Sequence, residues 1–522
     1  MDLPTGNLIE AVAHRLAHLE DGHIARRIWA KDATVWKPDP RTPELADRLG
    51  WLDAARTTRG QLAGWSPFVS GARTAFDRVV LCGMGGSSLA PLVLADLFGP
   101  AKGFPRLAVL DSTDPEAVAR ATPRSAAELG RTLFIISSKS GTTLEPDCFY
   151  RYFWKRAGEP GAQFAAITDP GTPLEHLARE RGFRSVFPAP ADVGGRYSAL
   201  TPFGMVPAAL LGLDVERLLA SAEQAARSSG PDVPASRNPA VQLGAILGEA
   251  ARAGRNKLTF VLSSRLTMLG LWLEQLVAES TGKEGTGILP IAGEALGGPE
   301  VYGGDRIFAA ITLEGDDDTK LASGLDALER AGHPVLRSRL ANPYELGGEF
   351  FRWELATAVA GAILGINPFD QPNVAESKAN TERVLAAQTA PAPPAGAREL
   401  AAFWERIQPG DYVALMAYLP PTNENDRTLG TIQQRLRDRL RVATTLGYGP
   451  RFLHSTGQLH KGGPAVGHFI QITQHAARDV SIPGKPFTFG QLELAQAEGD
   501  LQALRKRGRP ALRLDGLGLL TS

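Results

Sequence analysis

Residues 78–91 read RVVLCGMGGSSLAP. An apolar run leads into three closely spaced glycines and two serines, and then into the start of an apolar helix. A buried strand that feeds a glycine turn and a helix is the opening unit of a parallel α/β sheet. Working outward, the pattern repeats at RLAVL (106–110), TLFII (132–136), FAAIT (164–168) and RSVF (184–187), with helical stretches between. The break SSGPDVPASRNPA (228–240) is rich in proline, serine and glycine. Beyond it, KLTFVL (257–262), IFAAITL (307–313) and PVLRSRL (334–340) begin a second such unit. The spacing predicts two doubly wound parallel α/β lobes, residues 71–235 and 236–388. The segments LFIISSKS (133–140) and TFVLSSRL (259–266) look alike and hint that the lobes are related. Upstream, 1–70 reads as a helical segment. Downstream, TAPAPPAG (389–396) reads as a semi-stiff linker. Residues 397–522 read as an α+β region, with strands in DYVALMAYL and GHFIQIT and a helix over QLELAQAEGDLQALRKRG.

The chain has 522 residues, with 56 Lys plus Arg against 56 Asp plus Glu. A balanced charge supplies no field for a polyanion, so a nucleic-acid partner is not expected. Two cysteines, Cys82 and Cys148, suit a reducing cytoplasm and exclude a disulfide framework. No apolar run is long enough to span a membrane, and the start MDLPTGNLIEAVAHRL lacks the pattern of a secretion signal.

Ligands of doubly wound sheets bind beyond the carboxyl ends of the strands. Two loops there suit a phosphate. In GMGGSSLAP (83–91), Gly86 lets backbone approach a ligand, and Ser87 stands near a helix start. In SSKSGTTLE (137–145), Ser138, Ser140, Thr142 and Thr143 are hydroxyl donors beside Lys139. A helix amino end adds free N–H groups and the positive end of its dipole. The first loop is no dinucleotide fingerprint, because Ser88 stands where the third glycine belongs. The second lacks the nucleotide P-loop pattern. A cap uses one hydroxyl, and four point to a monophosphate.

GMGGSSLAP, SSKSGTTLE, DVGGRYSALTP (192–202), QLVAESTGK (275–283) and NPFDQPNVAESK (367–378) resemble, in order and spacing, the motifs of glucose-6-phosphate isomerases. The resemblance covers roughly 70–385. It implies two flavodoxin-like sugar-isomerase lobes, a cytoplasmic homodimer, no cofactor or metal, and a place in glycolysis, gluconeogenesis and the link to the pentose phosphate route. The region from 397 onward is similar to the isomerase half of bacterial transaldolase–isomerase fusions, which implies an association with transaldolase. By motif, Glu279 matches the catalytic base, Gln275 a substrate-binding glutamine and Arg196 the arginine beside the reacting carbons. Lys378 and Gln371 match the signature lysine and glutamine. Ser87, Ser138, Lys139, Ser140 and Thr143 match the sugar and phosphate site, with Gly86 and Gly195 as backbone contacts, and Thr142 joins the substrate-binding candidates as a hydroxyl donor of the same loop.

The chemistry needs these residue types. One carboxylate removes a proton and returns it to the neighbouring carbon, and a fixed cation stabilises the enediolate. Opening the pyranose ring requires a proton relay, expected from Lys378 and a histidine. The stretch GEALGGPEVYGGDRIFAAI (293–311), where the resemblance places that histidine, contains none, and Asn373 and Ala375 depart from the lysine signature. The loop RFLHSTGQLHKGGP (451–464) holds two histidines, and His460 or His454 is expected to supply the imidazole. His14, His18, His23 and His176 are expected at the surface. A dual phosphoglucose/phosphomannose isomerase and a sugar-phosphate-binding regulator without turnover remain open alternatives.

Overall fold

The structure is a computed structural model that describes residues 8–387 and 393–521. Residues 1–7 of the helical segment and 389–392 of the expected linker lie outside the described residues.

Five parallel strands form the first sheet: β1 (Arg78–Cys82), β2 (Arg106–Leu110), β3 (Thr132–Ser137), β4 (Phe164–Thr168) and β5 (Ser185–Pro188), in the order β2-β1-β3-β4-β5. Alternation along its strands separates two faces. Val79, Leu81, Leu133 and Ile135 join a core shared with the amino-terminal helices and the second sheet. Val80, Cys82, Phe134 and Ile136 face a second core that includes Ile482, Phe489 and Leu492 from the carboxyl-terminal region. Each face is covered by a different part of the chain, which accounts for the unbroken apolar runs.

The second sheet contains β6 (Lys257–Leu262), β7 (Leu289–Ile291), β8 (Arg306–Leu313) and β9 (Val335–Leu340), all parallel, in the order β7-β6-β8-β9. β6 therefore holds the place that β1 holds in the first sheet. The likeness between LFIISSKS and TFVLSSRL pairs β3 with β6 and does not follow the topology.

The α+β expectation for residues 397–522 is corrected. β10 (Tyr412–Tyr418), β11 (Ala443–Tyr448), β12 (Gly467–Thr473) and β13 (Ala511–Asp515) form a third all-parallel sheet, in the order β11-β10-β12-β13. Tyr412, Ala414, Met416 and Tyr418 pack towards Leu289 and Ile291 of β7. Val413, Leu415 and Ala417 pack under Leu429 and Ile432 of the helix Asn423–Leu440. β11 and β13 carry no clear strand signal because threonine, glycine and arginine interrupt their apolar positions. The three-residue β7 contains Pro290. The expected late helix forms as Phe489–Lys506. Among the described residues no helix is long and apolar enough to cross a membrane.

Candidate active site

The site begins where two backbone loops touch. Gly85, just past β1, turns with φ +53°, a conformation glycine adopts freely. A Cβ on Gly86 would lie 1.9 Å from the carbonyl oxygen of Gly195, so only glycine permits this approach. Ser198 Oγ donates to Gly195 O at 2.6 Å and to Gly86 O at 3.3 Å. Ser87 is buried beside this junction, and its carbonyl accepts from Ser137 Oγ at 2.9 Å.

The junction delivers Arg196, which is 2% exposed. Its Nε donates to Ser280 Oγ at 2.9 Å and its Nη1 to Gln371 Oε1 at 2.9 Å. Its Nη2 donates to the carbonyls of Pro368 (2.8 Å) and Asp370 (2.7 Å). Its Nη1 also lies 3.6 Å from Glu279 Oε2. A guanidinium held from so many sides is a fixed charge.

Glu279 and Gln275 come from the helix Leu269–Thr281, which is buried along almost its whole length. Four residues apart, they share one helix face, and Gln275 Nε2 donates to Glu279 Oε2 at 3.1 Å. The same nitrogen donates to the carbonyl of His454 at 2.7 Å. Lys283, two residues past the helix, donates to Asp370 Oδ1 and O, both at 2.6 Å. Burial, then the nearby Arg196, pushes the Lys283 amine down to about 8, against the pull of Asp370.

The hydroxyl loop leads into the helix Leu144–Ala157, whose N-cap residue Thr143 makes no side-chain capping bond. Ser138 Oγ donates to Thr143 Oγ1 at 3.1 Å, and the Ser140 and Thr142 hydroxyls pair at 3.0 Å. Ser140 and Thr142 are exposed, so an anion reaches both hydroxyls and the helix amino end. Lys139 turns aside into an ion pair with Asp169.

A cavity of about 80 Å³ adjoins this loop and is lined by Thr142, Thr143, Glu145, Ser377, Lys378 and His454, among others. His454 Nε2 lies 3.1 Å from Glu145 Oε1. Burial pushes the Glu145 carboxyl up, but His454 and Lys378 more than offset this and hold it below the usual range.

The two expected histidines therefore part company. His460 is 3% exposed, with its Nδ1 3.0 Å from Tyr412 Oη and its ring edge-on to Phe469. Burial, then Lys461 and Arg509, pushes its pKa down to about 3. It lies in the short helix Gly457–Gly462, packs neutral against Tyr412 and Phe469 of the third sheet, and does not line the cavity. The remaining sequence candidates converge, apart from Lys139. Glu145, Lys283 and Gln496 are absent from the candidates that the sequence supplies. The first two stand inside the quoted motifs SSKSGTTLE and QLVAESTGK. Gln496, on the helix Phe489–Lys506, carries no local signal. His14, His18, His23 and His176 are exposed, as expected. Among the described residues no group of three or more His, Cys, Asp or Glu side chains is placed to hold a metal.

A family model described as phosphoglucose isomerase matches residues 61–302. The glucose-6-phosphate isomerase of Synechococcus sp. (strain JA-3-3Ab) is 38% identical over 259 residues, 47% of this chain and 48% of that protein. The glucose-6-phosphate isomerase of Symbiobacterium thermophilum is 31% identical over 405 residues, 66% of this chain and 88% of that protein. The chain spans about half the length of the two Synechococcus relatives it matches. A solved structure of a hypothetical protein from Thermus thermophilus superposes with TM-score 0.61 at 25% identity, covering 74% of this chain and 99% of that one. A glucose-6-phosphate isomerase from Chlamydia trachomatis shares the fold, with TM-score 0.54 at 22% identity, covering 73% and 81%.

Proposed function

Since the chain belongs to the phosphoglucose isomerase family, we propose that it interconverts D-glucose 6-phosphate and D-fructose 6-phosphate through an enediolate. The observation that carries this reading is the single amide of Gln275, which joins Glu279 to the loop bearing His454, with Arg196 fixed beside the carboxylate. Glu279 moves the proton between carbons 1 and 2. Arg196 stabilises the developing charge on oxygen more than the neutral ground state, which is what accelerates a reaction. Ser138, Ser140, Thr142 and Thr143 hold the phosphate at the helix amino end. Lys378 and His454 open the ring, with Glu145 orienting the imidazole.

Residues 71–235 and 236–388 act in this reading as two lobes, closed over by 397–522, in a cytoplasmic homodimer that associates with a transaldolase. Light scattering and co-purification test those last two points. Turnover is tested by converting fructose 6-phosphate with wild type and Glu279→Gln in the presence of EDTA. The reading requires activity that the substitution abolishes and the chelator does not. A wild-type chain that binds the sugar phosphate without turnover would make it a sensor.

A further inference from the structure

A buried chain of hydrogen bonds runs across the seam between the first sheet and the carboxyl-terminal region and ends at His454. Thr113, three residues past β2, donates its hydroxyl to Gln496 Oε1 at 2.8 Å. Gln496 Nε2 donates to Glu145 Oε1 at 2.7 Å, the oxygen that also meets His454 Nε2 at 3.1 Å. Thr113 is 0% and Gln496 3% exposed, so water does not compete for these bonds. Gln496 lies beyond the 61–302 span matched by the family model.

The Glu145 end of the chain fixes its polarity. Glu145, held below the usual carboxylate range, can only accept, so the amide nitrogen of Gln496 must face it and Oε1 is left for the Thr113 hydroxyl, which can donate or accept. The reversed amide would set its oxygen against the carboxylate, two acceptors facing each other in a buried place. Glu145 Oε1 is then an acceptor twice over and has no proton to give, so His454 Nε2 must carry the hydrogen. Nδ1 is left as the ring atom free to gain or lose a proton.

We propose that Gln496 and Thr113 are positioning residues that fix the tautomer of His454 and make Nδ1 its proton-exchanging atom in ring opening. The proposal rests on the isomerase reading above. In the opening direction Nδ1 takes the proton of the carbon 1 hydroxyl, the bond from carbon 1 to the ring oxygen breaks as the carbonyl forms, and the ammonium of Lys378 gives a proton to that oxygen. Closing the ring reverses each transfer, so protons balance without a co-reactant.

The test isolates ring opening. In Glu279→Gln enzyme isomerisation is blocked, and exchange NMR of glucose 6-phosphate reads interconversion of its two anomers. Adding Gln496→Leu should slow enzyme-catalysed anomer exchange by about tenfold or more while the Kd for glucose 6-phosphate stays unchanged. Thr113→Val, nearly isosteric, removes only the donor to Gln496 Oε1 and should act in the same direction but less. Anomer exchange that survives both substitutions overturns the proposal. So does a parallel loss of affinity, which marks a merely structural role, or a Glu279→Gln enzyme that accelerates no anomer exchange although wild type isomerises. A wild type that isomerises nothing overturns the underlying reading, and this proposal with it.

Discussion

His454 Nε2 lies 3.1 Å from Glu145 Oε1, although 309 residues separate them. The pair spans the seam between the first sheet and the third, so the imidazole reaches the hydroxyl loop only because the carboxyl-terminal region docks there. The carbonyl of His454, bonded to Gln275, ties the same loop to the proposed base. Removing His454 should therefore affect ring opening and leave phosphate binding in place. His454→Ala is expected to lower kcat by about 10²-fold with little change in KM, as steady-state assays with fructose 6-phosphate would show.

His460 should behave in the opposite way. His460→Leu leaves turnover near wild type and costs about 1–3 kcal/mol of stability, because the buried Tyr412 hydroxyl loses its partner. In wild type this imidazole is held neutral down to about pH 3, while an unfolded histidine takes up its proton near 6.5. Between those values the unfolded state binds the extra proton, so stability falls as the pH is lowered through that window. Urea melts at pH 4 and 7 should show a smaller difference for His460→Leu than for wild type.

Glu274 gives the reverse dependence. Burial pushes its carboxyl up to about 8, against the pull of Arg451, which is itself bound to Asp111 through two bonds of 2.7 Å. The native state thus keeps a proton that the unfolded state releases near 4.5, and this contribution weakens as the pH rises from there to about 8. Glu274→Gln, which cannot ionise, should melt higher than wild type at pH 8 and close to it at pH 5. Equal shifts at both pH values would contradict the assignment.

Gly86→Ala adds one carbon at a position that would come 1.9 Å from Gly195 O. The two loops must then separate, which shifts Arg196 away from Glu279. Activity should fall by about 10²-fold although no ionisable group has changed. A crystal structure of the variant should show the Gly86–Gly195 gap widened.

Hydroxyls at the loop tip should govern affinity more than rate. Thr142→Val with Ser140→Ala removes a hydroxyl pair exposed at the helix amino end. KM for the sugar phosphate should rise about tenfold or more, from lost hydrogen bonds of about 1.5–3 kcal/mol each to a charged group. The kcat should change far less. A fall in kcat alone would place the phosphate elsewhere.

Much of this architecture is legible in the linear order of residues. The runs VVLC, LFII and FAAI are apolar at every position because these three central strands of the first sheet are covered on both faces, and a one-dimensional pattern reports that directly. GMGG, SSKSGTT, GGRYS and AESTGK stand out because glycine turns and hydroxyl clusters are short-range features. β11 and β13 are not legible in this way, since their threonine, glycine and arginine positions gain partners only from neighbouring strands. The choice between His454 and His460 is not legible either. Six residues apart in one polar loop, they differ only in what the fold sets against them, Glu145 in one case and Tyr412 in the other.

By itself, then, the sequence determined the parallel α/β units, the loops at their strand ends and the positions of Glu279, Arg196 and the loop hydroxyls within distinctive motifs, because periodicity, turn chemistry and motif spacing are local properties of a chain. Tertiary structure alone decided that the third region is a parallel sheet seated on the first two, that Gln496 faces Glu145 and that His454 is the histidine at the cavity. Those facts depend on contacts between residues hundreds of positions apart, and side-chain hydrogen bonds across such a seam leave no periodic trace in either partner's neighbourhood.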